Sequence, residues 1–279
     1  MNFSPERRKL LAAAASVVSL PSYSSNPSTL TMGIVPQWLP TLLFQKWKPL
    51  LDTVAQEVGV AIQIKLYPSI PQFELAFGKG EFDLVYLNPY HAVMAKKSVG
   101  YEPLVRNSAN LSGVLVTRSD SDIKHLSALN GQKIAFPAPN AFGASLYMRA
   151  LLTKKYKVSF TPVYVQTHSN VYSQVKNRIV QAGGGIQSTL DQQPKDTRDL
   201  LHVLFNTPES ASHPIAAHPR LSAKLQNALQ ASFLGLNATD SGKELLKGIA
   251  FQRVVKTSYA EYDALDDLQL EKFLVGESS

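Results

Sequence analysis

Apolar residues along this chain alternate between short runs and a helical spacing. Leu30-Thr-Met-Gly-Ile-Val35 reads as a first strand. Leu43, Trp47, Leu50, Leu51, Val54 and Val58 then recur at helical spacing, and Gly59 stands where a helix C-terminus favours glycine. Ile62, Ile64 and Leu66 alternate as a second strand, followed by a Tyr67-Pro-Ser-Ile-Pro loop and a short helix over 72–78. Residues 82–87 form a third strand, and Asn88-Pro89 forces a turn into a helix over 90–97. This order is that of a parallel sheet covered by helices. Two more apolar segments, 102–106 and 113–118, lead through polar residues 119–124 to a second series. It comprises strand 133–136, helix 143–155, strand 162–166, helix 171–178, a tight Gly183-Gly184-Gly185 turn, a helix near 188–192 and strand 201–205. A Pro- and His-rich loop, 207–219, precedes helical material at 221–229, 242–249 and 263–273.

The expected fold is α/β with two lobes, each a mostly parallel sheet flanked by helices, joined by a two-stranded hinge. Residues 25–115 and 208–279 are assigned to lobe 1 and 116–207 to lobe 2, with crossings near 113–119 and 204–212. The cleft between the lobes is the expected ligand site. In open α/β sheets ligands sit at the carboxyl ends of strands, here loops 36–38, 69–70, 88–90, 137–145, 167–170 and 183–185. The run 134–136 breaks at Pro137 and Pro139, and a helix with Tyr147, Ala150 and Leu151 on one face begins near Gly143. Gly143, Ala144 and Ser145 therefore fall on a first helical turn, whose amides have no intrahelical partner and face the positive end of the helix dipole. Such a turn seats an oxyanion, with the Ser145 hydroxyl as an added donor. The competing reading is an ordinary strand–loop–helix junction in which Ser145 is a cap.

Composition narrows the class. With 279 residues, 44% of them hydrophobic, the chain suffices for one large or two small α/β domains. It has no Cys, which excludes disulfides, thiolate metal sites, thiol nucleophiles and a lipid-modified N-terminal cysteine. Residues 1–24 read as a cleaved export signal, twin-arginine-like or general secretory: Glu6-Arg7-Arg8-Lys9, then an apolar run over 10–20, then Pro21-Ser22-Tyr23-Ser24. An apolar run of about 11 residues is too short to span a bilayer of roughly 30 Å. A cytoplasmic amphipathic start is the alternative, disfavoured because the run lacks a polar face. Removing Arg7, Arg8, Lys9 and Glu6 leaves 25 basic and 20 acidic side chains, a net charge of +5. That mild excess favours anionic ligands, while the basic, aromatic-interleaved stripes of nucleic-acid binders are missing.

Several segments together carry a resemblance: Phe82-Asp-Leu-Val-Tyr-Leu-Asn-Pro-Tyr-His-Ala-Val93, Leu129-Asn-Gly-Gln-Lys-Ile-Ala-Phe-Pro-Ala-Pro-Asn-Ala-Phe-Gly-Ala-Ser-Leu146, Thr167-His-Ser-Asn-Val-Tyr-Ser-Gln-Val175, Ala182-Gly-Gly-Gly-Ile186 and His213-Pro-Ile-Ala-Ala-His-Pro219. In this order, across roughly 30–255, the chain resembles the phosphonate/phosphite/phosphate-type solute-binding proteins of ABC importers. The resemblance implies a type II periplasmic binding fold that clamps a small phosphorus oxyanion and delivers it to membrane permease subunits. By position it implies ligand contacts from Tyr86 and Asn88 in lobe 1, from Gly143, Ala144 and Ser145 at the helix start, and from His168 and Ser169. Ser69 and Gln37 are further, less supported candidates. It implies a periplasmic, monomeric binding protein with no cofactor, no metal and no catalytic residue. Where family members commonly carry Asp before the Ala-Gly-Gly segment, this chain has Gln181, and none of the six loops contains Asp or Glu. The expected ligand is therefore an oxyanion without an amine: phosphite, phosphate or a simple alkylphosphonate.

Other readings are weaker. His213 and His218 lack a carboxylate partner for a metal site and are read as interlobe loop packing, and His91 as packing on its helix. His168–Ser169 is no nucleophile–base pair, because sequence neighbours seldom form one and no Gly-x-Ser-x-Gly elbow is present. The Gly183–185 segment lacks the order of a nucleotide-binding loop. Two functional alternatives stay open: a ligand-sensing subunit signalling to a membrane histidine kinase, and, less supported, an enzyme on a small phosphoester.

Overall fold

The computed structural model describes residues 28–276; the expected export segment, 1–24, lies outside them. The first sheet has six strands in the order β11-β4-β10-β3-β1-β2, formed by β1 (Thr29–Ile34), β2 (Ala61–Lys65), β3 (Leu84–Tyr86), β4 (Glu102–Asn107), β10 (Pro214–Ala217) and β11 (Val254–Lys256). The second has five, in the order β7-β6-β8-β5-β9: β5 (Gly113–Arg118), β6 (Lys133–Phe136), β7 (Thr161–Tyr164), β8 (Ala182–Ile186) and β9 (Leu201–Asn206). In each sheet the expected parallel pairings are joined by antiparallel ones. β1 pairs parallel with β2 and β3, and β6 with β7 and β8, whereas β10 and β5 run antiparallel to both their neighbours.

The helices follow from the apolar spacing. α1 (Pro40–Val58) buries Leu43, Trp47, Leu50, Leu51 and Val54, and Gly59 ends it in the left-handed conformation at φ 77°. α2 (Ile70–Gly78) and α3 (Pro89–Ser98) complete the first series. In the second, one continuous helical run consists of a π-turn (Phe142–Leu146), α4 (Tyr147–Ala150) and a second π-turn (Leu151–Lys155). It is followed by α5 (His168–Lys176), α6 (Gln187–Asp191) and α7 (Lys195–Arg198). α8 (Ala223–Gly235) and α9 (Asp240–Gly248) return to the first lobe.

Three elements depart from the sequence expectation. The loop over 207–219 contains β10: four apolar residues were too few to signal a strand, and Pro214 is tolerated because it occupies the strand's first position. The Gly183–Gly185 turn is instead the middle of β8, packed in from both faces. A Cβ on Gly184 would meet Ala144 O at 2.1 Å, and one on Gly185 would meet the Tyr172 hydroxyl at 2.1 Å. The C-terminal helix over 263–273 is a pair of 3₁₀ segments, Asp263–Leu268 and Leu270–Phe273, broken where Gln269 takes φ +48°.

The chain leaves the first sheet after Asn107 and enters the second at Gly113, so the crossing expected near 113–119 is strand β5 itself. It returns between Asn206 and Pro214. The two crossings bond to each other: Leu111 and Ser210 exchange backbone hydrogen bonds of 2.9 and 3.0 Å, and Thr207 N donates to Gly113 O at 2.8 Å. A third link is C-terminal. Glu271 accepts from the Tyr90 hydroxyl of α3 at 2.9 Å, after which Phe273 O accepts from Arg149 (2.7 Å) and Val275 N donates to Asn140 (3.0 Å) in the second lobe.

The close approach at β8 makes a testable claim about stability. Gly184→Ala should cost about 1–3 kcal/mol through overpacking, with the melting temperature falling by roughly 2–4 °C per kcal/mol. Gly78→Ala, in a helix and with nothing within 4 Å of its would-be Cβ, should instead be neutral or stabilise by about 0.5–1 kcal/mol. Equal melting temperatures for the two variants would contradict the packing described.

Candidate functional site

The carboxyl ends of the parallel strands in both sheets open onto one cleft with two connected compartments. The inner one, about 60 Å³, lies between Asn88 and Ile70 of the first lobe and Gly143, Ala144 and His168 of the second. The outer one, about 180 Å³, extends along Trp38, Tyr86 and Phe251 on one side and Gln187 to Thr189 on the other. Gln37, Leu111, His168, Ile186 and His213 line both. Among the described residues no Asp, Glu, Lys or Arg lines either compartment.

The inner compartment's residues mark the starts of four helices, two from each lobe: α2, α3, the helical run from Phe142, and α5. Each helix start carries roughly half a positive charge from the aligned peptide dipoles. Three are capped by their own side chains. Ser69 accepts from Gln72 N at 3.3 Å, Asn88 from His91 N at 2.8 Å and Thr167 from Asn170 N at 3.1 Å. The fourth is preceded by Ala141, which has no side chain to cap with. Its π-turn sends both Ser145 N and Leu146 N to Ala141 O, each at 2.9 Å, leaving the Gly143 and Ala144 amides without an intrahelical acceptor. Close packing holds this turn in place, since a Cβ on Gly113 would meet Gly143 O at 2.1 Å.

Ser145 is placed behind the turn and off the cavity wall. It is 0% exposed; its hydroxyl donates to Pro139 O (3.0 Å) and accepts from Arg149 Nε (3.2 Å). Arg149, 7% exposed, also donates to Pro139 O (2.8 Å) and Phe273 O and lies 5.9 Å from the Tyr164 ring centroid. Among the described residues it has no acidic partner, and burial lowers its pKa. A guanidinium held only by neutral groups thus stands one hydrogen bond behind the helix start. Polar neighbours and spacing alone do not reveal it, because Arg149 lies on the buried face of its helix.

The other candidates divide. Gln37, Tyr86, Asn88, Gly143, Ala144 and His168 line the cleft. Ser69 and Ser169 do not: Ser69 is the cap of α2, and Ser169 is exposed and accepts from Gln193 (3.4 Å). Asn88 is both cap and wall, its Nδ2 directed at Asn140 O (3.4 Å) across the cleft and at His91 Nε2 (3.0 Å). His91 is buried behind it against Glu74 (3.0 Å). Gln181 is exposed, accepts from Lys133 N (3.4 Å) and sits at the opposite end of β8 from the cleft.

Sequence reasoning missed His213. Its place follows from β10, which pairs antiparallel with β3 so that Ile215 faces Tyr86 and His213 emerges at the cleft end. Its ring stacks on Tyr86, with centroids 5.4 Å apart and planes at 29°, and Tyr86 in turn packs on Trp47 at 4.6 Å. Gln37 Nε2 donates to His213 Nε2 at 2.9 Å, leaving the ring proton on Nδ1. Recognising 214–217 as a strand would have found it. Burial lowers the pKa of His213 to about 3, with contributions from His91 and His168, and that of His168 to about 4. The Nδ1 of His168 is buried with no protein partner. Both rings are therefore neutral near pH 7. Among the described residues no group of three or more His, Asp or Glu is arranged for a metal, and His218 lies away from the cleft, accepting from Arg220 N.

Two mixed sheets joined by paired crossings, with helix starts facing each other across a cleft, define a type II periplasmic binding fold. The chain belongs to the family described as "ABC transporter, phosphonate, periplasmic substrate-binding protein", whose model matches residues 32–262. Solved structures agree in fold. PhnD1 from Prochlorococcus marinus, in complex with methylphosphonate, is 16% identical over 88% of this chain and 99% of that one, at a TM-score of 0.77. The binding-protein component of an ABC phosphonate transporter from Pseudomonas aeruginosa is 17% identical over 88% and 87%, at 0.72. XAC2383 from Xanthomonas citri, bound to a chloride ion, is 16% identical over 88% and 98%, at 0.77. Comparison with curated protein sequences finds no match. The protein is thus a periplasmic substrate-binding component of an ABC phosphonate transporter, from a family of transport proteins rather than enzymes. No helix among the described residues is long and apolar enough to cross a membrane.

The neutral histidines set a pH dependence. Unfolded imidazoles titrate near 6.5, above the folded values of about 4 and 3, so between these the unfolded state binds protons the folded state refuses. Stability of the ligand-free protein should therefore fall as pH drops below about 6.5. His213→Asn should flatten that slope in urea titrations between pH 7 and 4.5, and slopes parallel to the parent would rule the assignment out.

Proposed function

We propose that this protein captures a small phosphorus oxyanion lacking an amine, such as phosphite, phosphate or an alkylphosphonate, by closing its two lobes, and delivers it to the permease subunits of an ABC importer. One observation carries the reading: four helix starts meet at the inner compartment, one of them uncapped, and no acidic side chain lines it. A tetrahedral oxyanion presents acceptors in several directions and needs donors converging from separate elements. The Gly143 and Ala144 amides and the His168 ring supply donors from the second lobe, and the starts of α2 and α3 supply positive potential from the first. Neutral donors hydrogen-bonding a charged group are worth about twice neutral pairs, more so once closure removes water.

Arg149 completes the electrostatics without touching ligand. A buried cation without an acid is costly, and an anion before Ser145 and Gly143 offsets that cost at one remove. Segment 1–24 would direct export and be removed, with a monomeric mature protein. The moving units are the two sheets with their helices, meeting at 108–112 and 207–213.

Calorimetry and thermal shift with phosphite, phosphate and methylphosphonate test the reading against sulfate, acetate and 2-aminoethylphosphonate. At 100 times its dissociation constant a bound oxyanion should stabilise by about 2.7 kcal/mol. The aminoalkyl compound should bind less tightly than methylphosphonate, because no lining carboxylate meets its ammonium. Tighter binding of the amine, or no stabilisation by any phosphorus oxyanion, would refute the proposal. His168→Ala should cost about 1.5–3 kcal/mol of binding, as expected for a hydrogen bond to a charged group.

A further inference from the structure

The outer compartment is three times the volume of the inner one, about 180 against about 60 Å³. A water-sized group needs about 10–15 Å³, so the inner space holds roughly five such groups and the outer roughly fifteen. A tetrahedral oxyanion fills the first and leaves the second empty. Phosphite, phosphate and methylphosphonate have nothing to place there.

The walls of the outer compartment say what would fit. Four amide-bearing residues line it: Gln252 from the first lobe, Asn110 from the crossing, Gln187 and Gln192 from the second lobe. An amide offers both donors and an acceptor, the complement of a hydroxyl or another amide, which also carry both. Trp38, partly buried, adds a flat apolar surface suited to a carbon chain. No charged side chain lines the space. Two acids lie just outside it, each engaged by a lining amide: Asp191 accepts from Gln187 Nε2 at 2.7 Å, and Glu209 accepts from Asn110 Nδ2 at 3.0 Å. The cation Lys46 sits over Trp38, 5.1 Å from its ring centroid, with its ammonium donating to Gly248 O. A second phosphate or a carboxylate would thus enter without a cation, and an ammonium could pair only by displacing Gln187 from Asp191 or Asn110 from Glu209, whereas an uncharged polar substituent meets the amides directly.

Resting on the proposed oxyanion site, we infer that the outer compartment is a substituent subsite, and that the physiological ligand is a phosphonate or phosphate monoester bearing an uncharged, hydroxyl- or amide-containing organic group. The phosphorus group would occupy the helix starts, and the substituent would lie between Trp38 and the amides. Carbon–phosphorus and oxygen–phosphorus links present the same outward chemistry, and only direct comparison separates them.

Calorimetry on the mature protein should compare methylphosphonate, 2,3-dihydroxypropylphosphonate, glycerol 3-phosphate, 2-aminoethylphosphonate and phosphonoacetate. At least one of the two dihydroxylated ligands should bind tenfold or more tightly than methylphosphonate, and the charged pair should bind no better than methylphosphonate. Which dihydroxylated ligand leads identifies the link. Trp38→Ala and Gln252→Ala should each bring the ratio of dihydroxylated to methyl affinity towards unity. Methylphosphonate binding as well as or better than both dihydroxylated ligands would overturn the subsite while leaving the oxyanion site intact. An unchanged ratio in both variants would do the same. Failure of all five ligands would overturn both.

Discussion

Everything in this structure turns on backbone amides that no part of the chain satisfies. A helix start carries amides without intrahelical acceptors, and a fold normally places it in water or supplies a cap. Here four starts are brought to one compartment of the cleft. Ser69, Asn88 and Thr167 each take up one amide of their own helix, but Ala141 cannot, and the π-turn beyond it widens the opening further. The fold invests in keeping that turn there. Gly113 and Gly184 give up side chains so that the carbonyls of Gly143 and Ala144 can lie against β5 and β8. Arg149 braces the same turn from behind, through Ser145 and Pro139.

Among the described residues the lobes meet around this point without acidic lining. Asn140 of the second lobe donates to Glu74 of the first at 3.0 Å, Asn88 reaches Asn140 O, and the C-terminal segment bonds to both lobes. The lobes therefore share polar contacts set behind the cleft. The facing imidazoles are neutral because burial disfavours their charged forms, so the cleft carries dipoles rather than ions on its walls. On the proposed reading, that is how a binding protein holds an anion firmly yet releases it: no long-lived salt bridge has to be broken when the lobes part.

Much of this was legible in the sequence, and what escaped did so for definite reasons. The apolar periods located the main strands and helices, and the Pro137–Gly143 break located the helix start, because those signals are local. The Ser145 hydroxyl, expected toward the cleft, turns away from it: first-turn position does not say which side of a π-turn a hydroxyl takes, and the buried Arg149 claims it. His213 was missed because its position depends on a four-residue strand inserted from a distant part of the chain. Gln181 misled for a similar reason. Proximity in sequence to the glycine run put it near the cleft, but the run is a strand, and a strand carries its two ends to opposite sides of the sheet.

The central claim is that an oxyanion sits on the uncapped helix start and is held by neutral donors. A crystal structure of the mature protein with phosphite or methylphosphonate tests it most directly. The account predicts phosphorus oxygens within about 2.7–3.2 Å of the Gly143 and Ala144 amide nitrogens and of a His168 ring nitrogen, with no Lys or Arg side chain in contact. A ligand seated elsewhere, or one held by a lysine or arginine drawn into the cleft, would contradict it.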